Sequence, residues 1–207
     1  MKQIFLYIVL IIGGLSFACG SNTKKEVDVP ISSQMTIKEV PSKYVDGNEH
    51  GLYFKQDTLY YQQAIYSGYV YKLYPSKDTA FIGAYLNGLQ EGAQKKWYPN
   101  HQLAESRFYH DGKKVDKHIG FWEEGHQKFE YHFLNGEHHG MVREWYKNGQ
   151  PYKVFHYENG YESGSQKMWW ENGVIRANYV VKNGRRYGLV GLKLCMNQTD
   201  SIKTNIQ

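Results

Sequence analysis

The feature that most limits what this chain can fold into is a 24-residue period. Units begin at Gly68, Gly92, Asp116, Gly140 and Gly164 without insertion, and Gly188 opens a sixth that trails off. The seventh residue of each of the five units is aromatic (Tyr74, Tyr98, Trp122, Tyr146, Trp170) and the twenty-first is Gly (Gly88, Gly112, Gly136, Gly160, Gly184). A catalytic constellation is written once, whereas a residue repeated at every period reports what each supersecondary unit needs in order to stack.

The local signal inside a unit is a hairpin. In "EWYKNGQPYKVFHYENGYESG", Glu144 to Gly164, Asn-Gly occurs twice between runs of aromatic and β-branched residues, and such pairs supply the positive φ that tight hairpin turns require. The pattern predicts one strand from Met141 to Tyr146 and a second from Pro151 to Tyr157, with turns over 147–150 and 158–163. Period-2 alternation sets Phe155 and Tyr157 on one face with His156 on the other, and Tyr131, Phe133, Tyr179 and Val181 on the equivalent face of neighbouring units. No helical pattern of useful length follows the N-terminus. The fold class expected is therefore all-β: an elongated single-layer antiparallel meander of hairpin repeats. With strands ~4.8 Å apart, five two-strand units make a ribbon roughly 50 Å long. One ring buries at most about 150 to 250 Å², roughly 4 to 6 kcal/mol, so several rings per unit are needed to form a core. Aromatic content of 16 % with 21 Gly fits that requirement.

The ends of the chain read differently. "MKQIFLYIVLIIGGLSFA", residues 1–18, has the charge, apolar run and small-residue close of a secretory signal peptide. Cys19 follows at once, in "SFACG", which resembles the bacterial lipobox, so Cys19 is the expected lipidation site. Residues 19–48 read as a lipidated tether, polar and without period. Residues 49–195 form the repeat domain, with 49–67 as N-terminal cap strands, and 196–207 are a flexible tail. A single remaining thiol makes no disulfide framework, and Cys195 in the apolar "GLVGLKLC" reads as a buried, inert group. Of the 25 Lys and Arg, one lies in the signal segment, leaving 24 against 20 acidic side chains, a dispersed surplus of +4. That argues against a nucleic-acid partner, which needs a clustered basic face.

The Gly-spaced "WYKNG", "HYENG" and "YLNG" pattern resembles the MORN-repeat variant family, also called the YwqK-type antitoxin family, from Tyr53 to about Cys195. The resemblance implies a β-hairpin repeat scaffold that binds proteins or lipids, and an antitoxin-like role as an alternative. The second and third units depart from the Asn-Gly turn with "WYPNHQ" and "FWEEGHQ", which leaves the geometry of those two turns open.

Sequence patterns for catalysis are weak. His132 and His156 occupy the same repeat position about 9.6 Å apart, too far for both to bind one zinc at ~2.0 Å. "GYESG" at 160–164 is read as a turn, its Ser one residue late for a nucleophile elbow. Glu123 and Glu124 are adjacent turn residues without the convergence of a glycosidase pair. The expectation is a chain with no enzymatic activity, cofactor or metal: an envelope-anchored lipoprotein, at an outer membrane or cell surface, that docks a protein partner. A second expectation is a glycan- or membrane-surface-binding module using Trp122, Tyr146, Trp169 and Trp170, rings that could stack on the sugars of a cell-envelope glycan.

Overall fold

A computed structural model describes residues 38–191 of the chain. The signal segment 1–18, Cys19, most of the tether, Cys195 and the tail 196–207 lie outside the described residues. Those described form strands and turns: β1 (Tyr44–Asp46), β2 (Leu52–Lys55), β3 (Thr58–Tyr61), β4 (Ala64–Ile65), β5 (Gly68–Leu73), β6 (Thr79–Leu86), β7 (Leu89–Trp97), β8 (Leu103–His110), β9 (Lys113–Phe121), β10 (Gln127–Leu134), β11 (Glu137–Trp145), β12 (Pro151–Glu158), β13 (Tyr161–Trp169), β14 (Ile175–Lys182) and β15 (Arg185–Leu189).

Twelve of these strands make one sheet in the order β1-β5-β6-β7-β8-β9-β10-β11-β12-β13-β14-β15, open at both edges. From β5 onward every neighbour is the next strand in sequence and antiparallel, so the sheet is a meander of hairpins, as the period implies. The first pair differs, because β1 lies parallel to β5 with Val45 opposite Val70. β1 also falls inside the stretch read as a tether, so ordered pairing begins before residue 49.

The hairpin loops are of two kinds. In the five loops at the twentieth and twenty-first places of the units both residues, Asn-Gly or Asp-Gly, have positive φ, from Asn87 and Gly88 at 50° and 79° to Asn183 and Gly184 at 50° and 71°. That is the primed geometry whose twist matches the flanking strands. The second kind follows the position-seven ring, and here the departures in the second and third units change nothing. Tyr98 N–H donates to Gln102 O at 2.9 Å and Trp122 N–H to His126 O at 2.8 Å, as Tyr146 N–H donates to Gln150 O at 2.8 Å. Lys77 and His101 take φ of 71° and 64° where later units have Gly. The 158–163 turn is shorter than the polar residues suggest: only Asn159 and Gly160 turn, and Tyr161 to Gly164 belong to β13.

Ladder register settles the faces. Val142 opposes Phe155, Phe155 opposes Gln166, and Gln166 opposes Tyr179, which places the expected rings on one face. In β14, Ala177, Tyr179 and Val181 are buried and alternate with exposed Asn178 and Val180. The rings cover one another: Tyr131 stacks on Phe129 at 4.6 Å and Phe155 meets Tyr179 at 6.0 Å. The cap strands β2-β3-β4 form a separate three-stranded sheet, which packs Leu59 against Tyr66, Val70 and Tyr85. Part of the ring face is therefore roofed.

Candidate functional site

Two rows of hydrogen bonds stitch successive units, and they show what the invariant positions do. At one end of the strands the ring at position seven donates to the carbonyl 23 residues on: Tyr74 to Trp97 O at 2.7 Å, Tyr98 to Phe121 O at 3.0 Å, Trp122 Nε1 to Trp145 O at 3.3 Å and Tyr146 to Trp169 O at 2.9 Å. At the other end the turn glycine donates its N–H to the carbonyl 22 residues earlier, as Gly112 does to Gln90 O at 2.9 Å and Gly160 to His138 O at 2.9 Å.

A third device is buried between these rows. Each Asn-Gly or Asp-Gly hairpin from β6/β7 to β12/β13 carries a register shift in its second strand, around a residue of positive φ at the start of the unit (Gly92, Asp116, Gly140, Gly164). Such a bulge leaves the opposing backbone without its ladder partner. In the fifth unit Gln166 supplies one: its Oε1 accepts from His156 N–H at 3.1 Å and its Nε2 donates to His156 O at 2.8 Å and Ser163 O at 3.0 Å. In the third unit His118 takes the same place, with Nε2 3.1 Å from Phe108 N and 2.8 Å from Phe108 O. Burial pushes the His118 imidazole pKa down to about 4, against the backbone contact to Phe108, which favours the charged form. Gln94 is the second unit's equivalent, and its Nε2 is buried without a hydrogen-bond partner among the described residues. The sequence signal is that the third place of a unit is Gln or His in the second, third and fifth units and Val in the first and fourth, a mixture that fits an inward-facing position.

A broad cleft lies where the small sheet roofs the first units. It is a cleft of about 730 Å³ walled by Phe54, Tyr74, Phe81 and Tyr98, with Lys72 and Lys96 at its lining. A polar recess of about 230 Å³ continues from it, sharing Phe81, Lys96 and Glu105 and adding Gln94 and Arg107. Glu105 is held by Arg107 at 2.8 Å and Lys96 at 3.6 Å. Lys72 makes no ion pair among the described residues. Nearby, the buried Glu91 carboxylate anchors the chain ahead of β1: it accepts from Lys38 N–H and Asp111 N–H and faces His110. Burial would raise its pKa, but those hydrogen bonds hold it below the usual carboxylate range.

The rings singled out in the sequence sit elsewhere. Trp122 and Tyr146 line a smaller groove of about 380 Å³ two units along the sheet. Their faces are occupied: Lys128 Nζ stands 4.4 Å over Trp122, Tyr152 meets Tyr146 edge-on at 5.1 Å, and Arg176 stands 4.4 Å over Trp170. Trp169 belongs to the strand preceding the ring column, and its carbonyl receives the Tyr146 hydroxyl. Lys128, Tyr152 and Arg176 share the thirteenth place of their units, and in the first two units that place is Ala80 and Ala104. Tyr74 and Tyr98 thus face the cleft with no cation or ring at that place. His132 and His156 point to the face opposite the core rings, and among the described residues no three His, Cys, Asp or Glu side chains converge as a metal site would require.

No protein-family model matches this chain, and no curated protein matches it.

Proposed function

We propose that this chain is a non-catalytic interaction scaffold, held at a bacterial cell envelope by an acylated Cys19, whose stitched ladder of repeats presents a rigid surface to a protein partner. The observation that supports this reading is the exposed row at the last strands. Val180 opposes Tyr187, and with Leu189 they leave substantial apolar area open to solvent, flanked on the same face by Lys182 opposite Arg185. Contiguous apolar surface with a polar rim is what protein docking sites expose. Crosslinking in native membranes tests it: a partner recovered with the parent chain should be lost with Tyr187→Asp, and undiminished recovery counts against the surface. Cys19→Ser should abolish acyl labelling and release the chain from membranes.

A second reading, glycan binding, is favoured by the aromatic cleft at the other end of the ladder.

A further inference from the structure

We propose that the cleft between the small sheet and the first two repeat units binds a carboxylate-bearing glycan chain, its sugar rings against Tyr74 and Tyr98 and its acidic groups towards Lys72 and the Gln94 recess. This inference develops the glycan reading and is independent of the protein-docking row at β15.

The apolar half of the argument is ring surface. The hydroxyls of Tyr74 and Tyr98 are committed to Trp97 O and Phe121 O, so what these residues offer a ligand is the ring itself. Alanines at 80 and 104 stand where later units put a cation or a ring against the equivalent aromatic side chain. Sugar rings carry apolar C–H faces that pack on such surfaces, and a volume of about 730 Å³ suits a ligand larger than a single ion.

The polar half is a surplus of donors. Lys72, Lys96 and Arg107 line the cleft and its recess with one carboxylate, Glu105, whose Oε2 already takes the last two. Gln94 is 8 % exposed and lines the recess. Its Oε1 takes Gln90 Nε2 at 3.5 Å, while its Nε2, which leans towards the Tyr85 hydroxyl, completes no well-formed hydrogen bond among the described residues. A buried amide donor without a partner costs free energy that an incoming acceptor would recover. An extended peptide brings N–H donors as well as acceptors, and among the described residues of the recess the one carboxylate, Glu105, already neutralises Lys96 and Arg107 through its Oε2. An acceptor-rich anion with ring faces fits better.

The test is titration of the full chain with three probes: oligogalacturonate, its methyl-esterified form, and poly-glutamate. Calorimetry should show saturable binding of oligogalacturonate with a change in tryptophan fluorescence from Trp97. Esterification should weaken it roughly tenfold or more, the scale of one lost charge-assisted contact. Lys72→Gln, at an exposed residue, should weaken binding by a similar factor without moving the melting temperature, and Gln94→Leu should weaken it further. Equal affinity for the esterified chain overturns the acidic requirement, and tighter binding of poly-glutamate hands the cleft to an acidic peptide. Absence of binding by all three overturns the proposal outright. None of these results bears on the partner captured through Tyr187, so the two readings fail separately.

Discussion

Gln166 stands against His156 as a strand neighbour would: its amide accepts from the His156 N–H and donates to the His156 carbonyl, at 3.1 and 2.8 Å. The side chain is fully buried, so neither backbone group has water to turn to. Gln166→Leu preserves much of the volume and removes both bonds to His156, together with the third, from Nε2 to Ser163 O. Leaving two buried backbone groups unpaired costs about 2–4 kcal/mol. Denaturant melts of the two proteins measure it, and a midpoint that does not move shows that the bulge is satisfied some other way.

His118 fills the same place, and its titration gives that place a pH dependence. The imidazole is 1 % exposed and its pKa is pushed from 6.5 down to about 4, chiefly by burial, with the Arg107 and Lys114 charges adding to the depression. Between those two values the unfolded chain binds a proton that the folded chain does not. Stability is therefore full above pH 6.5 and falls as pH drops towards 4, by up to roughly 3 kcal/mol. His118→Gln borrows the fifth unit's solution and should flatten this part of the stability profile. A parent chain as stable at pH 4.5 as at pH 7.5 refutes the assignment.

Tyr146 tests the ring column. Its hydroxyl donates to Trp169 O at 2.9 Å, while its ring packs against Tyr152. Tyr146→Phe keeps the packing and deletes the hydrogen bond, for a loss of about 0.5–1.5 kcal/mol. Tyr146→Ala removes both and should cost at least twice as much. If the two variants melt together, the ring contributes nothing beyond its hydroxyl, and the area argument for aromatic enrichment fails.

These devices were unequally visible in the sequence. The meander, the ring face and the turn glycines followed from two periods, 24 and 2, because every unit repeats the same requirement. Gln166 and His118 were hidden because a polar residue beside a turn ordinarily faces water, and only the register shift turns it inward. The small sheet was hidden because Leu59 meets Tyr66, Val70 and Tyr85 in contacts made once. Lys77 and His101 were hidden because neither residue type favours positive φ. The ladder holds them there through the same pair of loop hydrogen bonds that Gly149 and Gly173 use in their units. The cleft escaped for a related reason: it depends on what the first two units lack, alanine at 80 and 104 where others carry Lys128 or Arg176.

Gly160 joins the turn to the stitching. Its φ of 82° lies in the left-handed region, its N–H donates to His138 O across the repeat boundary at 2.9 Å, and an added Cβ would meet Glu137 Oε2 at 2.6 Å. The carboxylate is the end of a flexible side chain and can swing aside, so the backbone conformation decides the outcome. Gly160→Val places a β-branched residue at that φ and should destabilise by more than about 1 kcal/mol. Gly160→Asn, a residue that visits this region, should cost less than half as much. At Gly184, with φ of 71° and nothing within 4 Å of an added Cβ, the same Val substitution should act through φ alone. Thermal melts of the three variants separate strain from crowding: similar losses at 160 and 184 assign the effect to φ, and an unchanged melting temperature for Gly160→Val removes the positive-φ requirement from the turn.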